Sequence, residues 1–120
     1  MIKILEGLPD NVLGVEATGE VTDSDYETVL NPAVRAMRES HDRLRIIYVF
    51  GKDFDGWSLG GMWEDAKLGL KHPKSWEKIA VVSDEDRIKH MIKAFGWMVP
   101  GEVRIFDLTQ LDAAKDWAAN

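Results

Sequence analysis

The sequence predicts an α/β protein whose mixed, mostly parallel five-stranded sheet follows the order β-β-α-β-α-β-α-β-α. Three observations carry that expectation. Two apolar runs at the amino end are separated by Pro9-Asp10-Asn11, a turn signal that makes them an antiparallel hairpin. After the hairpin, segments with apolar residues three and four apart alternate with short runs rich in Val and Ile. The chain has 120 residues, 45% of them hydrophobic and 30% charged, so residues 1–120 are expected to form one domain able to bury its own core.

The hairpin strands are expected at Lys3 to Leu8 and Val12 to Gly19. Thr22-Asp23-Ser24-Asp25 then reads as a capping box, with Thr22 as N-cap and Asp25 at N3. Tyr26, Val29, Leu30, Ala33 and Met37 follow at helical spacing and make one apolar face. Pro32 lies inside this first helix and either bends it or, with Asn31, divides it into two short helices.

The third strand spans Leu44 to Phe50 and gives way to Gly51 through Trp63, a stretch with four glycines, two aspartates, a serine and two tryptophans. Loops at the carboxyl ends of strands are where open α/β sheets bind ligands, so this stretch is the candidate site. A second helix is expected over Trp57 to Lys71. At 100° per residue, Leu59, Met62, Trp63, Ala66 and Leu70 fall together on the face suited to lie on the sheet. Trp57 and Leu68 fall on the opposite side, toward solvent, and His72-Pro73 ends the helix.

Lys78 to Val82 is the fourth strand, after which Ser83 or Asp84 caps a third helix. Ile88, Met91, Ile92, Phe95 and Met98 form its inward stripe, and Gly96 with Pro100-Gly101 marks its exit. Val103 to Phe106 is the last strand. Thr109 is expected to cap the final helix, with Asp112 at N3 and Leu111, Ala114, Trp117 and Ala118 as its packing face.

Composition narrows the chemistry. The absence of Cys excludes disulfides, thiol catalysis and thiolate metal sites. A net charge of −6 argues against a general nucleic-acid binder, although Ala66 to Lys78 is locally positive, with Lys67, Lys71, Lys74 and Lys78 against Glu77 alone. The apolar runs are too short to span a membrane, and Met1 to Glu6 shows no charged region followed by a long apolar one. A cytoplasmic protein, able to sit peripherally at the inner membrane face, is therefore expected.

Catalysis finds little support. His41, His72 and His90 lie on separate elements without metal-binding spacing, so no metal and no cofactor is expected. Asp53 and Asp55 could share a loop face as an acid/base pair, but Asp55 is better read as a helix N-cap. Gly56-Trp57-Ser58-Leu59-Gly60 formally matches the G-x-S-x-G nucleophile turn of hydrolases. The chain is too short for that fold, and Ser58 has no neighbouring histidine to activate it.

The order of elements, Thr22-x-x-Asp25-Tyr26, Asn31-Pro32 and above all Gly56-Trp57-Ser58-Leu59-Gly60 with Trp63-Glu64-Asp65 resemble the bacterial SpoIIAA-like proteins. Ile79 to Val82, Gly101 to Asp107 and Ala113-Ala114-x-x-Trp117 fit the same pattern, so the resemblance covers nearly the whole chain. One departure is Arg87, where such sequences often carry Trp. The resemblance implies a STAS-like fold and, from the wider group, a phosphorylatable serine near the place of Ser58. The Asp-Ser-Ser/Thr-Gly motif of that group is not kept, since this chain reads Asp55-Gly56-Trp57-Ser58.

The resulting expectation is a small binding module. An apolar or amphiphilic small molecule would be held under the second helix by Tyr48, Phe50, Phe54, Trp57, Leu59, Met62 and Trp63. Gly56, Gly60 and Gly61 weaken that helix and would let it lift from the sheet. Trp57, Lys67, Leu68, Lys71 and Lys74 would meet an anionic membrane surface. The alternative is a regulatory domain that binds a protein partner and is switched by phosphorylation at Ser58, where a serine that merely completes the first helical turn is the plainer reading. A homodimer is compatible with either.

Overall fold

The computed structural model describes residues 1–71, 75–98 and 101–120. Strands β1 (Ile2–Ile4) and β2 (Leu13–Val21) form the antiparallel hairpin, with Ile2 opposite Ala17. Strands β3 (Leu44–Trp57), β4 (Trp76–Val82) and β5 (Glu102–Phe106) then add in chain order, each parallel to the one before, with β3 parallel to β2. The expected sheet, hairpin included, is the one observed.

Residues 23 to 40 are one helical element in three parts: α1 (Asp23–Asp25), a π-helical turn (Tyr26–Leu30) and α2 (Asn31–Ser40). Both bonds of the capping box form, since Thr22 Oγ1 accepts from the Asp25 amide and Asp25 Oδ2 accepts from the Thr22 amide at 2.9 Å. Pro32 has no amide hydrogen to give the carbonyl four residues back, so the turn before it widens. The Asn31 amide reaches five residues back to the Tyr26 carbonyl, and the helix continues instead of dividing.

The remaining helices are α3 (Leu59–Lys71), α4 (Asp86–Phe95) and α5 (Leu111–Ala119). With residues 23 to 40 counted once, the described residues form the four helices that periodicity predicts. Strand alternation gives the sheet two apolar faces. One buries Val15, Val21, Ile46, Tyr48, Phe50 and Phe54 against Tyr26 and Leu30. The other buries Ile47, Val49, Ala80, Val82 and Phe106 against Ala114 and Ala118 of α5.

Several boundaries differ from expectation. Strand β3 does not stop at Phe50: it runs on through Lys52 and Asp53 to Trp57, pairing Phe54 with Gly19 and Trp57 with Val21 across a shifted register. Gly56 adopts φ of +107°, which a side chain would oppose, and that turns the strand end. Asp55 is therefore a strand residue and not a helix cap. The N-cap of α4 is Glu85, one residue beyond the expected pair, with Ser83 Oγ accepting from its amide at 3.0 Å. At the last helix a 3-10 turn (Leu108–Gln110) comes first, capped by Asp107 and Gln110 in place of Thr109 and Asp112. Along α4, Ile88 is buried but Met91 is 40% exposed. The helix end expected at His72-Pro73 and the exit at Pro100 lie outside the described residues, as do the side chains of Phe95 and Met98.

Candidate binding surface at helix α3

The segment between β3 and α3 is fixed by main-chain chemistry. The Ser58 amide donates to the Val21 carbonyl at 2.8 Å, tying the chain to the end of β2. Ser58 Oγ then accepts from the Gly61 amide at 2.9 Å, which makes Ser58 the N-cap of α3. From that start the helix turns an unexpected face inward. Gly61 is buried, and a Cβ there would run into the Val21 carbonyl oxygen; a Cβ on Gly60 would meet Asp23 at 3.0 Å. The glycine pair lets α3 press directly on α1 and on the end of β2.

Two carboxylates complete this inward face. Glu64, only 8% exposed, accepts from Asn31 Nδ2 at 3.3 Å and pairs with Lys67 Nζ at 2.9 Å. Asp65 is open to solvent as a residue, yet its Oδ1 accepts a hydrogen bond of 2.7 Å from the fully buried Tyr26 hydroxyl. That hydroxyl also meets Tyr48 Oη at 2.9 Å and accepts from Trp57 Nε1 at 3.2 Å. An ionised Asp65 only accepts, so Tyr26 gives it the phenolic proton and Tyr48 donates to Tyr26. The hub thus joins the π-helical turn, β3 and α3 through one oxygen.

Burial dominates the electrostatics of the hub. It raises both phenols above their ordinary values, with the Asp65 charge adding to the effect at Tyr26 and the Tyr26 bond opposing it at Tyr48. Desolvation likewise raises the Asp65 carboxyl, partly offset by the hydrogen bond from Tyr26. At Asp25 burial acts upward too, but the Thr22 amide, the positive amino terminus and the Thr22 hydroxyl outweigh it and lower the carboxyl.

The residues expected to line one pocket divide into two groups. Tyr48, Phe50, Phe54 and Trp57 come together below α3: Tyr48 stacks on Phe50 at 4.4 Å, and Phe50, Phe54 and Trp57 meet edge to face at 4.8 to 5.4 Å. Leu59, Met62 and Trp63 point the other way and are 87%, 56% and 66% exposed. The expected phase of the helix is therefore reversed: Trp57 packs inward as the last residue of β3, and Trp63 faces solvent. Hydrophobicity set the expected phase, whereas close packing of the glycines and the Asp65–Tyr26 bond set the real one.

Of the expected membrane-facing residues, Lys67 is half exposed and paired with Glu64, and Trp57 is half-buried against the core. The side chains of Leu68 and Lys71, and the whole of Lys74, lie outside the described residues. Among the described residues, no helix is long and apolar enough to cross a membrane.

The profile of the SpoIIAA-like family matches residues 12–119. The chain belongs to the SpoIIAA-like family. A crystal structure of an uncharacterised protein with a SpoIIAA-like fold, from Shewanella loihica PV-4, superposes with a TM-score of 0.78 at 28% identity. The match covers 98% of this chain and 92% of that one. No curated protein matches the chain. In this SpoIIAA-like protein, the Gly-Trp-Ser and Trp-Glu-Asp motifs supply the inner Trp57, the Ser58 cap and the Glu64 and Asp65 anchors of α3.

Sequence reasoning missed Tyr26, Glu64 and Asp65 as partners. The available signal was the pairing of adjacent small residues at Gly60-Gly61 with acids one turn later, which together describe a close-packed polar helix face.

Proposed function

We propose that this SpoIIAA-like protein is a non-enzymatic binding module that presents the outer face of α3 to an anionic amphiphilic surface. One observation carries the reading: α3 turns Gly61, Glu64 and the Asp65 oxygen inward and leaves Leu59, Met62 and Trp63, spaced three and four residues apart, open to water. Removing one such side chain from water is worth about 1.5–3 kcal/mol, so three together favour an apolar contact strongly. Lys67, half exposed on the same helix, places positive charge beside this face, and a lysine near an anionic headgroup contributes about 1 kcal/mol. The aromatic rings beneath α3 already pack on one another, so within this segment the outer face is the side open to an amphiphile.

Co-sedimentation with vesicles containing anionic lipid tests this, with zwitterionic vesicles as the comparison. Wild type is expected to bind the anionic vesicles, and Trp63→Ala to weaken binding by about tenfold, the equivalent of 1.4 kcal/mol. Equal sedimentation with and without anionic lipid, or binding indifferent to Trp63→Ala and Leu59→Ala, would overturn it.

A second reading rests on Ser58. Its Oγ caps α3 immediately before the exposed Leu59, so a phosphate there would add charge beside the apolar face and change the cap. On this reading Ser58→Asp releases a protein partner that Ser58→Ala retains, and equal recovery of that partner disposes of the switch.

A further inference from the structure

The sheet ends on two edges of unequal character. Strand β1 is three residues long, whereas β5 presents the five residues Glu102–Phe106 with β4 on one side only. Long open edges invite pairing with another chain unless they are blunted. The side chains along β5 alternate cleanly. Val103 packs toward α4 with Ile79 and Ile92, while Arg104 lies over Trp117 of α5, 5.2 Å from its ring centre. Glu102 and Arg104 share the α5 side and are more than half exposed, separated by 4.0 Å in a loose contact along the strand.

On the α4 side the edge opens into a groove of about 460 Å³ lined by Ile92, Lys93, Trp97, Val103 and Ile105 among others. Trp97 is 81% exposed there. An apolar groove beside an open strand edge is a surface that gains by being covered.

We infer that β5 pairs with β5 of a second copy, antiparallel across a two-fold axis through Val103, to give a continuous ten-stranded sheet. The charge pattern selects this occupant and this register. A two-fold axis normal to the sheet keeps each side chain on its own face, so facing residues are an even number apart in sequence. Centring on Val103 puts Glu102 opposite Arg104 of the partner and Arg104 opposite its Glu102, giving two opposite-charge cross-strand pairs. Centring on Arg104 would instead oppose two guanidinium groups. The same operation brings the two grooves together on the α4 side, with the Trp97 of each copy along their common floor.

Sedimentation velocity over a concentration series, with charge reversal, tests the pairing. Wild type is expected to dimerise reversibly, and Glu102→Arg or Arg104→Glu alone to raise the dissociation constant by about tenfold or more. The double exchange Glu102→Arg with Arg104→Glu restores the pairs and with them the dimer. Both substitutions are at exposed positions, so circular dichroism is expected to show the native fold in all three variants. The chain has no cysteine, so Val103→Cys gives an independent reading of register: opposed residues in a ladder lie within disulfide reach. Oxidised Val103→Cys is expected to cross-link to a dimer and Ile105→Cys to remain largely monomeric. A protein monomeric at every concentration overturns the inference, as does a dimer indifferent to both single reversals, which would place its interface elsewhere.

Discussion

Three side chains converge on the Tyr26 hydroxyl, which has no spare capacity. It donates to Asp65 and accepts from Trp57 and Tyr48, all from a fully buried position. Tyr26→Phe keeps the ring and removes the oxygen, leaving the indole N–H and an Asp65 oxygen without their partner. A loss of about 1–3 kcal/mol in urea unfolding is expected. Tyr48→Phe removes only a donor to that oxygen and is expected to cost less. Asp65 gives the site a pH signature. Its folded carboxyl lies above the ordinary value of 3.8, so the native state holds the proton more tightly than the unfolded chain. Stability from this group is therefore greatest below that ordinary value and falls as pH rises through the folded one. Asp65→Asn is expected to lack this fall; parallel stability–pH curves for the two proteins would contradict the assignment. Asp25 acts in the opposite sense, its contribution being lost as pH drops below 3.8.

At the scale of elements, α3 is held by contact and not by propensity. Two glycines in its first turn are poor helix formers, yet Gly61 is required by the approach of the Val21 carbonyl. Gly61→Ala should therefore destabilise the protein by about 1–3 kcal/mol in spite of its better propensity, read as a lower unfolding midpoint at unchanged m-value. Ser58→Ala, which removes the cap from the Gly61 amide, is expected to cost about 1 kcal/mol. These local devices were unevenly legible. Thr22 and Asp25 announced their capping box because it needs only a fixed spacing, and the strand order followed from the alternation of periods. The end of β3 was hidden, because Gly51 and Gly56 read as a loop while the strand runs through both and Gly56 still pairs with Glu20 of β2. The phase of α3 was hidden for a related reason. Periodicity ranks faces by hydrophobicity, and here shape at Gly61 and a hydrogen bond to a buried phenol outweigh it.

For the whole molecule, the exposed apolar residues on α3 should be dispensable for folding. Leu59→Ala and Trp63→Ala remove side chains that stand in water, so each is expected to shift stability by no more than about 0.5 kcal/mol. Trp57→Ala, which empties part of the aromatic cluster, is expected to cost about 3–5 kcal/mol. That contrast separates the two tryptophans of one motif into a structural and a surface role. The family fold and its topology were readable from the sequence almost throughout, whereas the direction in which the candidate surface faces was not.

The central claim, that α3 meets an amphiphilic surface with its outer face, is tested most directly by fluorescence quenching in anionic vesicles made with brominated lipid. Wild type is expected to lose part of its tryptophan emission on binding, and Trp63→Phe to lose that quenched component while remaining folded. Quenching undiminished in Trp63→Phe, or abolished in a folded Trp57→Phe instead, would show that a different face of the protein meets the lipid.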